Sequence, residues 1–190
     1  MILEFCKWLA STKWSIALHE SLYLYPWIES THVLSICLFI GILIFVDLRL
    51  LGKSFNSVPI SKFNSSLLPW SICGFILLVI TGLLLFYAIP IRNYHNIFFR
   101  FKLLLIVFAG INMFLFHRRM KREGHLWDES EEIPSSVKRS AFFSLSLWIM
   151  VIISGRMIAY NWFDCDIQPQ PDWVNFIASC ELSSYEMDGF

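Results

Sequence analysis

The stretch WIESTHVLSICLFIGILIFVDLRLL, residues 27–51, contains a long segment, Ser30–Val46, without a single Asp, Glu, Lys or Arg. About 20 apolar residues in a helix cross the hydrocarbon core of a bilayer. With its interfacial flanks, this stretch is long enough to span a membrane. Three further stretches have the same character, and the predicted spans are residues 27–51, 67–89, 99–118 and 140–160. The third is the shortest, and Lys102 and Arg118 are expected to snorkel at its ends.

The composition of the whole chain supports this prediction. Hydrophobic residues make up 56% of the 190 residues and charged residues only 16%, against about 25% charged residues in soluble domains. One water-soluble core of this length could not bury so much apolar surface. We therefore expect an all-α, polytopic membrane four-helix bundle. The formal net charge of zero excludes a strongly basic nucleic-acid binder, so no nucleic-acid partner is expected.

Lys and Arg are unequally distributed between the two predicted sides of the membrane. The side with the loops after the first and third spans carries nine, and the opposite side, with both termini, carries six. Because cytoplasmic loops have an excess of Lys and Arg, we expect both loops in the cytoplasm and both termini in the periplasm. Most of the difference comes from the cluster HRRMKR, residues 117–122.

The two ends of the chain are predicted to lie outside the transmembrane domain, residues 25–160. Residues 1–24 mix Trp and Leu with charged residues, which is typical of an amphipathic helix in the membrane interface. Residues 161–190 form an acidic tail with a short amphipathic run, residues 173–178. We therefore expect an N-terminal interfacial helix and a periplasmic C-terminal tail.

Two cysteines, Cys165 and Cys180, lie in this tail. A disulfide between them is chemically permitted in the periplasm. Closing a loop of about 15 residues would contribute about 3 kcal/mol in the chain-entropy model. A metal site formed by Cys165 with Asp164 and Asp166 is the alternative interpretation.

Ionisable side chains inside the spans are candidate functional groups, because each is costly there unless it is paired. Glu29 and His32 are one helical turn apart near the periplasmic end of the first span, and Arg156 reaches the same depth in the fourth span. We expect Arg156 to pair with Glu29. This group is interpreted either as a structural clasp or as a site where Arg156 and His32 hold a cofactor or an anionic headgroup.

A second polar cluster lies near the cytoplasmic ends of the spans. Asp47 follows Glu29 by 18 residues, about five helical turns, so both carboxyl groups are expected on one helix face. Asp47 is expected to pair with Arg118 or His117, with Arg49 close by. Phospholipid headgroups are candidates for the remaining basic charges. These residues are assigned structural roles.

Histidines are the candidate cofactor ligands. A b-type haem requires one or two axial ligands, usually His, from facing helices. His32 is the first choice, with His95 or His19 as a second ligand at a similar depth. The pair Glu29-x-x-His32 also matches the spacing of metal sites in helical bundles. A structural hydrogen bond and another bound metal are the alternatives for His32, and Arg156 is the expected neighbour of the cofactor.

Five strings between about residues 8 and 180 resemble a family of bacterial four-helix membrane proteins described as a domain of unknown function. They are PWIESTHVL (26–34), VDLRLLG (46–52), TGLLLFY (81–87), NIFFRFKLLL (96–105) and SGRMIAYNWFDCD (154–166). The resemblance implies a bacterial inner membrane and a bundle of four spans. It implies no particular activity.

Three functions remain open at this point. The leading hypothesis is a small membrane subunit or module of a redox or electron-transfer system, with haem b as the cofactor. A structural, lipid-binding accessory subunit without a cofactor and a metal or small-solute transport protein are the alternatives. Expected partners are membrane lipids, other membrane subunits or further copies of the chain. The chain has no P-loop, GxGxxG, GxSxG or HExxH motif, so we do not expect an enzyme that acts on its own.

Overall fold

The computed structural model describes residues 1–55, 57–129, 133–160, 162–163, 165 and 167–180. These residues form eight α-helices and no strand, which confirms the all-α prediction. The helices are α1 (Ile2–Ala10), α2 (Lys13–His19), α3 (Leu24–Leu50), α4 (Ile60–Ala88), α5 (Pro90–His95), α6 (Ile97–Glu129), α7 (Ser135–Ile158) and α8 (Asp172–Ala178).

Four of the helices, α3, α4, α6 and α7, are long and apolar enough to cross a membrane. Helices α3 and α6 each pack against both α4 and α7, so α3 and α6 are diagonally opposite in the bundle. The expected contact between the first and fourth spans is therefore present. We call the end of the bundle next to α1, α5 and α8 the terminal side. The opposite end, where α3 connects to α4 and α6 to α7, is the loop side.

The centre of the bundle is a layer of apolar side chains. Phe39 of α3 is almost completely buried and packs edge-to-face on Trp148 of α7, with ring centroids 5.0 Å apart. Phe75 of α4 contacts Phe39 at 5.3 Å. Leu105 and Ala109 bring α6 into the same core. These contacts hold α3 and α7 together and separate the polar groups of the two ends.

Helix α4 begins earlier than the sequence analysis predicts. It starts at Ile60, after Pro59 at the N-cap, and not near residue 67, where the predicted span begins, so Pro69 lies inside the helix. Pro69 has no backbone N–H, and one helical hydrogen bond is lost there. Membrane helices contain such prolines more often than soluble helices because neighbouring groups bond to the freed carbonyl.

Helix α6 continues well beyond the predicted end at residue 118. Its last turns, up to Glu129, carry many charged residues. Within this extension Arg119 Nε donates to Glu123 Oε2 at 2.9 Å, and Arg119 Nη1 donates to Ser136 Oγ of α7 at 2.7 Å. Hydropathy marks where a helix leaves an apolar environment, whereas these polar contacts support a helix that continues beyond it. Arg118 itself is exposed.

The predicted interfacial segment, residues 1–24, is divided into two helices. The hydroxyls of Ser11 and Thr12 donate to carbonyl groups at the end of α1, at 2.7 and 2.8 Å, and terminate that helix. Thr12 then caps α2 and also hydrogen-bonds to Tyr87 OH at the end of α4, at 2.6 Å. The single helix expected for this segment is therefore wrong, because local hydroxyl bonds interrupt it.

The tail is closed into a loop by a disulfide and attached to the terminal side by polar contacts. Cys165 and Cys180 form the predicted disulfide, with Cα atoms 5.3 Å apart. Because the Cys165 thiol is used in this bond, the alternative of a Cys165 metal ligand is wrong; Asp164 and Asp166 lie outside the described residues. The run at 173–178 forms α8, as predicted.

Candidate functional site

Polar side chains in the bundle form two groups, one on each side of the central apolar layer. Phe39 and Trp148 are in contact, and both Asp47 and Ser140 lie eight residues from them toward the loop side. Asp47 and Ser140 are therefore at a similar depth in the antiparallel pair α3 and α7. His117 lies closer still to the loop side. The groups on the terminal side are centred on His32.

The loop-side group surrounds a cavity of about 400 Å³ between α3, α4, α6 and α7. Most of its wall is apolar and includes Phe39, Phe75 and Trp148. Its polar lining residues are Asp47, Asn64, Ser71, Asn112, His117, Lys121, Ser140 and Ser144. We call this space the loop-side cavity. Its size is typical of ligand sites, which enclose about 300–1,000 Å³.

Two polar atoms at this cavity are buried without a hydrogen-bond partner in the described part of the chain. They are Asp47 Oδ2 on α3 and His117 Nδ1 on α6. The Asp47 side chain is only 6% exposed. A buried polar atom left unpaired costs about 1–3 kcal/mol. Both atoms line the same cavity, so a molecule in the cavity, water or ligand, can hydrogen-bond to them.

The neighbouring polar pair in the cavity wall is, by contrast, fully satisfied. Asn112 Nδ2 donates to the Ser140 carbonyl at 3.2 Å, and Ser140 Oγ donates to Asn112 Oδ1 at 2.9 Å. This reciprocal pair joins α6 to α7 and places Asn112 at the depth of Asp47. His117 follows Asn112 by five residues, about 7 Å along the helix at 1.5 Å per residue. Asp47 and His117 therefore approach the cavity from diagonal helices and at different depths.

The accessible wall of the cavity is formed by α4 and α6. Ile72 of α4 is 49% exposed and Phe114 of α6 is 64% exposed, although both line the cavity. Contact between α4 and α6 is the least extensive of the four contacts around the bundle. Exposed Lys121 lines the cavity nearer the loop side. The cavity is thus reached from the lipid-facing surface between α4 and α6.

On the terminal side, His32 is oriented by α4. Its Nδ1 lies 2.8 Å from Thr81 Oγ1, and the Thr81 hydroxyl is 2.7 Å from the Leu77 carbonyl, to which it donates. Because the Thr81 proton is used there, His32 Nδ1–H is the donor to Thr81, and Nε2 carries the lone pair. The ring packs against Gly82, where a Cβ would lie 3.3 Å from His32 Cε1.

Lys102 belongs to the terminal-side group, although the sequence predicts that it snorkels at the end of the third span. Instead of snorkelling, its side chain is half-buried and packs against α7, with Nζ 3.6 Å from the position of a Cβ at Gly155. Lys102 follows the start of α6 by five residues, so the sequence position alone was compatible with either orientation.

Glu29 and Arg156 do not form the predicted ion pair. Both side chains are exposed, and no ion pair joins them among the residues that the structure describes. The Arg156 guanidinium instead lies over the Tyr160 ring, 5.1 Å from its centroid. Helices α3 and α7 do contact each other, but at Phe39 and Trp148 rather than at these two charges. A similar depth does not place two side chains on facing surfaces.

The other histidines predicted to bind a cofactor lie at the terminal side. His95 Nδ1 donates to the Ala178 carbonyl at the end of α8, at 2.9 Å. His19 is exposed at the end of α2 and packs edge-to-face on Tyr25. Within the described ranges, no three His, Cys, Asp or Glu side chains are placed to hold a metal ion together. His95 thus contributes to attaching the tail, as does Arg100, which donates to carbonyls of α8.

The predicted pairing of Asp47 with Arg118 or His117 is also wrong. No ion pair of Asp47 occurs in the described part of the protein, and Arg118 is exposed. The neighbouring Arg49 turns to the connection between α3 and α4, where Nε and Nη2 donate to the Val58 carbonyl at 2.9 and 2.8 Å. Arg49 therefore has the structural role expected for it, and Asp47 is left facing the cavity.

The loop-side cavity includes residues that the sequence analysis did not single out. Asn112, Ser140 and Ser144 lie within apolar spans, and Ser140 and Ser144 share a helix face because they are four residues apart. In the sequence, the signal for these residues is the presence of polar side chains inside an apolar span. Their assembly around one cavity depends on the packing of α6 against α7, which spacing along one helix does not specify.

One protein-family model matches most of the chain. The family is described as "Family of unknown function (DUF6644)", and the match covers residues 20–161, which include α3 to α7. The chain belongs to this family. Both the loop-side cavity and the terminal-side group lie inside the matched region. No curated protein and no solved structure matches the chain.

Proposed function

We propose that this protein is a small integral membrane module that takes a neutral, lipid-soluble molecule from the bilayer into the loop-side cavity. The observation that carries this proposal is the pair of buried, unsatisfied polar atoms, Asp47 Oδ2 and His117 Nδ1, in a mostly apolar cavity. A ligand with an apolar body and a polar head would pack its body against the apolar walls. Its head would hydrogen-bond to the two buried atoms.

The opening between α4 and α6 supports this route of entry. A water-soluble ligand would have to cross the apolar surface formed by Ile72 and Phe114, whereas a molecule dissolved in lipid meets the cavity directly. The apolar layer around Phe39 separates the cavity from the terminal-side group. The arrangement therefore favours a binding role over a continuous path for a transported solute.

In the cell, we propose that the module serves a redox or electron-transfer system, or acts as a lipid-binding accessory subunit of a larger membrane complex. For its location we propose a bacterial inner membrane with both termini in the periplasm. The excess of Lys and Arg at the loop side supports this orientation, and the Cys165–Cys180 disulfide suits an oxidising compartment.

The proposed function is tested by filling the cavity. Ser144 lines the cavity, and Ser146, on the same helix, does not. Neutral lipid-soluble compounds are extracted from the purified full-length protein and quantified per chain by mass spectrometry. We expect a compound enriched over the bulk membrane in the wild type and in Ser146→Phe, and lost in Ser144→Phe. Equal amounts in both variants would overturn the proposal.

A second candidate function, haem binding at His32, is favoured by one specific observation. Its Nδ1–H is donated to Thr81, so the ring is held in one orientation with the Nε2 lone pair available. Histidine ligands of metals are commonly oriented in this way by a hydrogen bond from the other ring nitrogen. His95 and His19 are the further ligands proposed from the sequence.

An absorption spectrum tests this second candidate. The full-length protein is expressed with ample haem, and reduced-minus-oxidised difference spectra are recorded after purification. Haem binding predicts Soret and α-band changes that are lost in His32→Ala and retained in the control Val33→Ala, at the exposed neighbouring position. If the wild type has no such bands, His32 is a structural histidine that links α3 to α4.

A further inference from the structure

The two unsatisfied atoms of the loop-side cavity restrict the chemistry of its ligand. Asp47 and His117 lie on diagonal helices, and His117 is about 7 Å further toward the loop side by the rise of α6. The two atoms therefore approach the cavity from different sides and depths. A ligand head with hydrogen-bonding atoms at two ends can bond to both.

The cavity also discriminates between kinds of polar head. The phosphodiester group of a lipid provides only acceptor oxygens, so it gives the Asp47 oxygen no donor. Lys121 lines the cavity and is exposed. A phosphate paired with Lys121 would therefore leave the Asp47 oxygen unsatisfied. A neutral head with hydroxyl donors meets the requirement at Asp47.

Aromatic side chains line the cavity at two depths. Phe39 packs against Phe75 and Trp148, with ring centroids 5.3 and 5.0 Å apart, at the end of the cavity away from His117. Phe116 lines the cavity next to His117. Flat rings pack favourably against aromatic side chains in offset or edge-to-face arrangements. An aromatic head beside His117 can therefore pack against Phe116.

From these restrictions we propose that the ligand of the loop-side cavity is a quinol, an aromatic diol with an alkyl or isoprenoid tail. One hydroxyl donates to Asp47 Oδ2 and the other bonds to His117 Nδ1, each at about 2.7 Å. The tail leaves between α4 and α6, past Ile72 and Phe114. This inference rests on the proposed function, because it names the class of the lipid-soluble ligand.

The test is a binding titration of the full-length protein in lipid nanodiscs under anaerobic conditions. The probe is decylubiquinol, and its dimethyl ether, which cannot donate a hydrogen bond, is the control ligand. Calorimetry should give a saturable isotherm for the quinol and binding at least about 10-fold weaker for the ether, as expected for a lost hydrogen bond to a carboxyl group.

Matched substitutions assign the binding to the two side chains. Asp47→Asn and His117→Phe should each weaken quinol binding about 10-fold or more. Glu29→Gln on the same helix and His19→Phe make the same chemical changes at exposed positions and should leave binding unchanged. If Asp47→Asn does not fold, His117→Gln and the ether comparison still decide the result.

The outcomes separate this inference from the proposed function. If a neutral compound is lost from Ser144→Phe but decylubiquinol does not bind, the cavity binds another class of amphiphile and the quinol proposal is wrong. Equal binding of the quinol and its ether also contradicts it. If neither a co-purified compound nor the quinol depends on the cavity, both proposals fail.

Discussion

At the scale of single residues, the bundle interior is organised by hydrogen bonds that cross between helices. The clearest example is His32, which is held by Thr81 of α4 while the Thr81 hydroxyl donates back to its own helix at Leu77. In membrane proteins, such side-chain bonds contribute about 0.6 kcal/mol on average and up to about 1.7. Here the bond fixes the orientation of the His32 ring, and it therefore determines which ring nitrogen carries the lone pair.

This bond leads to a first prediction. Thr81→Val removes the acceptor of His32 Nδ1–H, and we expect it to lower the free energy of unfolding by about 0.5–2 kcal/mol. Thr81→Ser keeps the hydroxyl and should remain close to the wild type. Unfolding in mixed detergent micelles, followed by circular dichroism, measures both. If the two variants are equally stable, the hydroxyl makes no contribution.

A second prediction concerns Cys6, a buried thiol on α1 outside the spans. Burial raises the pKa of the Cys6 thiol above its ordinary value. A raised pKa means less of the reactive thiolate at a given pH, so we expect very slow alkylation by a maleimide at pH 7. The rate should increase as the pH is raised, and denaturation should accelerate it further.

The measurement uses a chain in which Cys37 and Cys73, the two exposed free thiols, are replaced by alanine. Cys6 is then the free cysteine that the reagent can modify, since Cys165 and Cys180 are joined. Labelling is followed by mass spectrometry of the intact protein. Rapid modification of the folded protein at pH 7 would contradict the burial of this side chain.

At the scale of helices, close approach depends on particular glycines. Gly74 of α4 faces the backbone of α3, and a Cβ there would lie 3.1 Å from Phe39 N and 3.2 Å from Phe39 Cα. Backbone atoms cannot move aside as a flexible side chain does. Gly110 of α6, by contrast, has no atom within 4 Å of a Cβ position.

This difference gives a third prediction, with its own matched control. Gly74→Ala should separate α3 from α4 and destabilise the protein by about 1–3 kcal/mol through overpacking. Gly110→Ala should be neutral or stabilising by up to about 1 kcal/mol, since alanine favours a helix. Thermal unfolding of both variants in the same detergent compares them. Equal melting temperatures would show that the α3–α4 contact tolerates a methyl group at this position.

The ends of the helices show which features of a helix the sequence pattern predicts and which it does not. Four apolar stretches predicted four spans, and each lies within or largely overlaps one of the long helices. The ends differ where polar contacts continue a helix, as Arg119 does with Ser136 of the next helix, or where Pro69 is accommodated inside α4. Such contacts involve a second helix or the bonding of freed carbonyls, and neither is encoded in local hydropathy.

At the scale of the whole molecule, both ends of the described chain lie at the terminal side. Helices α1 and α2 pack against α4 and α5, and the tail, closed by the Cys165–Cys180 disulfide, is attached through His95 and Arg100. An even number of crossings requires both ends on one side of the membrane. The loop side, with its excess of Lys and Arg, faces the other compartment.

A fourth prediction follows for membrane topology. Alkaline phosphatase, which is active only when it is exported, should be active when fused after residue 180 and inactive when inserted between α6 and α7. A green fluorescent protein fusion at the same two positions should give the opposite pattern. If phosphatase is active at the inserted position, the orientation derived from Lys and Arg is reversed. A reversed orientation would also place the disulfide in a reducing compartment.

The sequence by itself determined the membrane class, the four apolar helices and the amphipathic run of α8, and it favoured the pairing of Cys165 with Cys180 that the structure shows. These properties depend on composition, segment length and local spacing, which are present in the chain before it folds. The positions of Asp47, His32 and Arg49 as polar groups of interest were also evident, because charged or titratable residues inside apolar segments are unusual.

Only the tertiary structure decided what these residues contact. Glu29 and Arg156 are both exposed and form no ion pair with each other, and Asp47 faces a cavity built with His117 from the diagonal helix. The rotation of each helix about its axis and the gap between α4 and α6 result from packing four helices at once. A sequence specifies which side chains share a face of one helix, whereas the partner of that face depends on contacts between segments far apart in the chain.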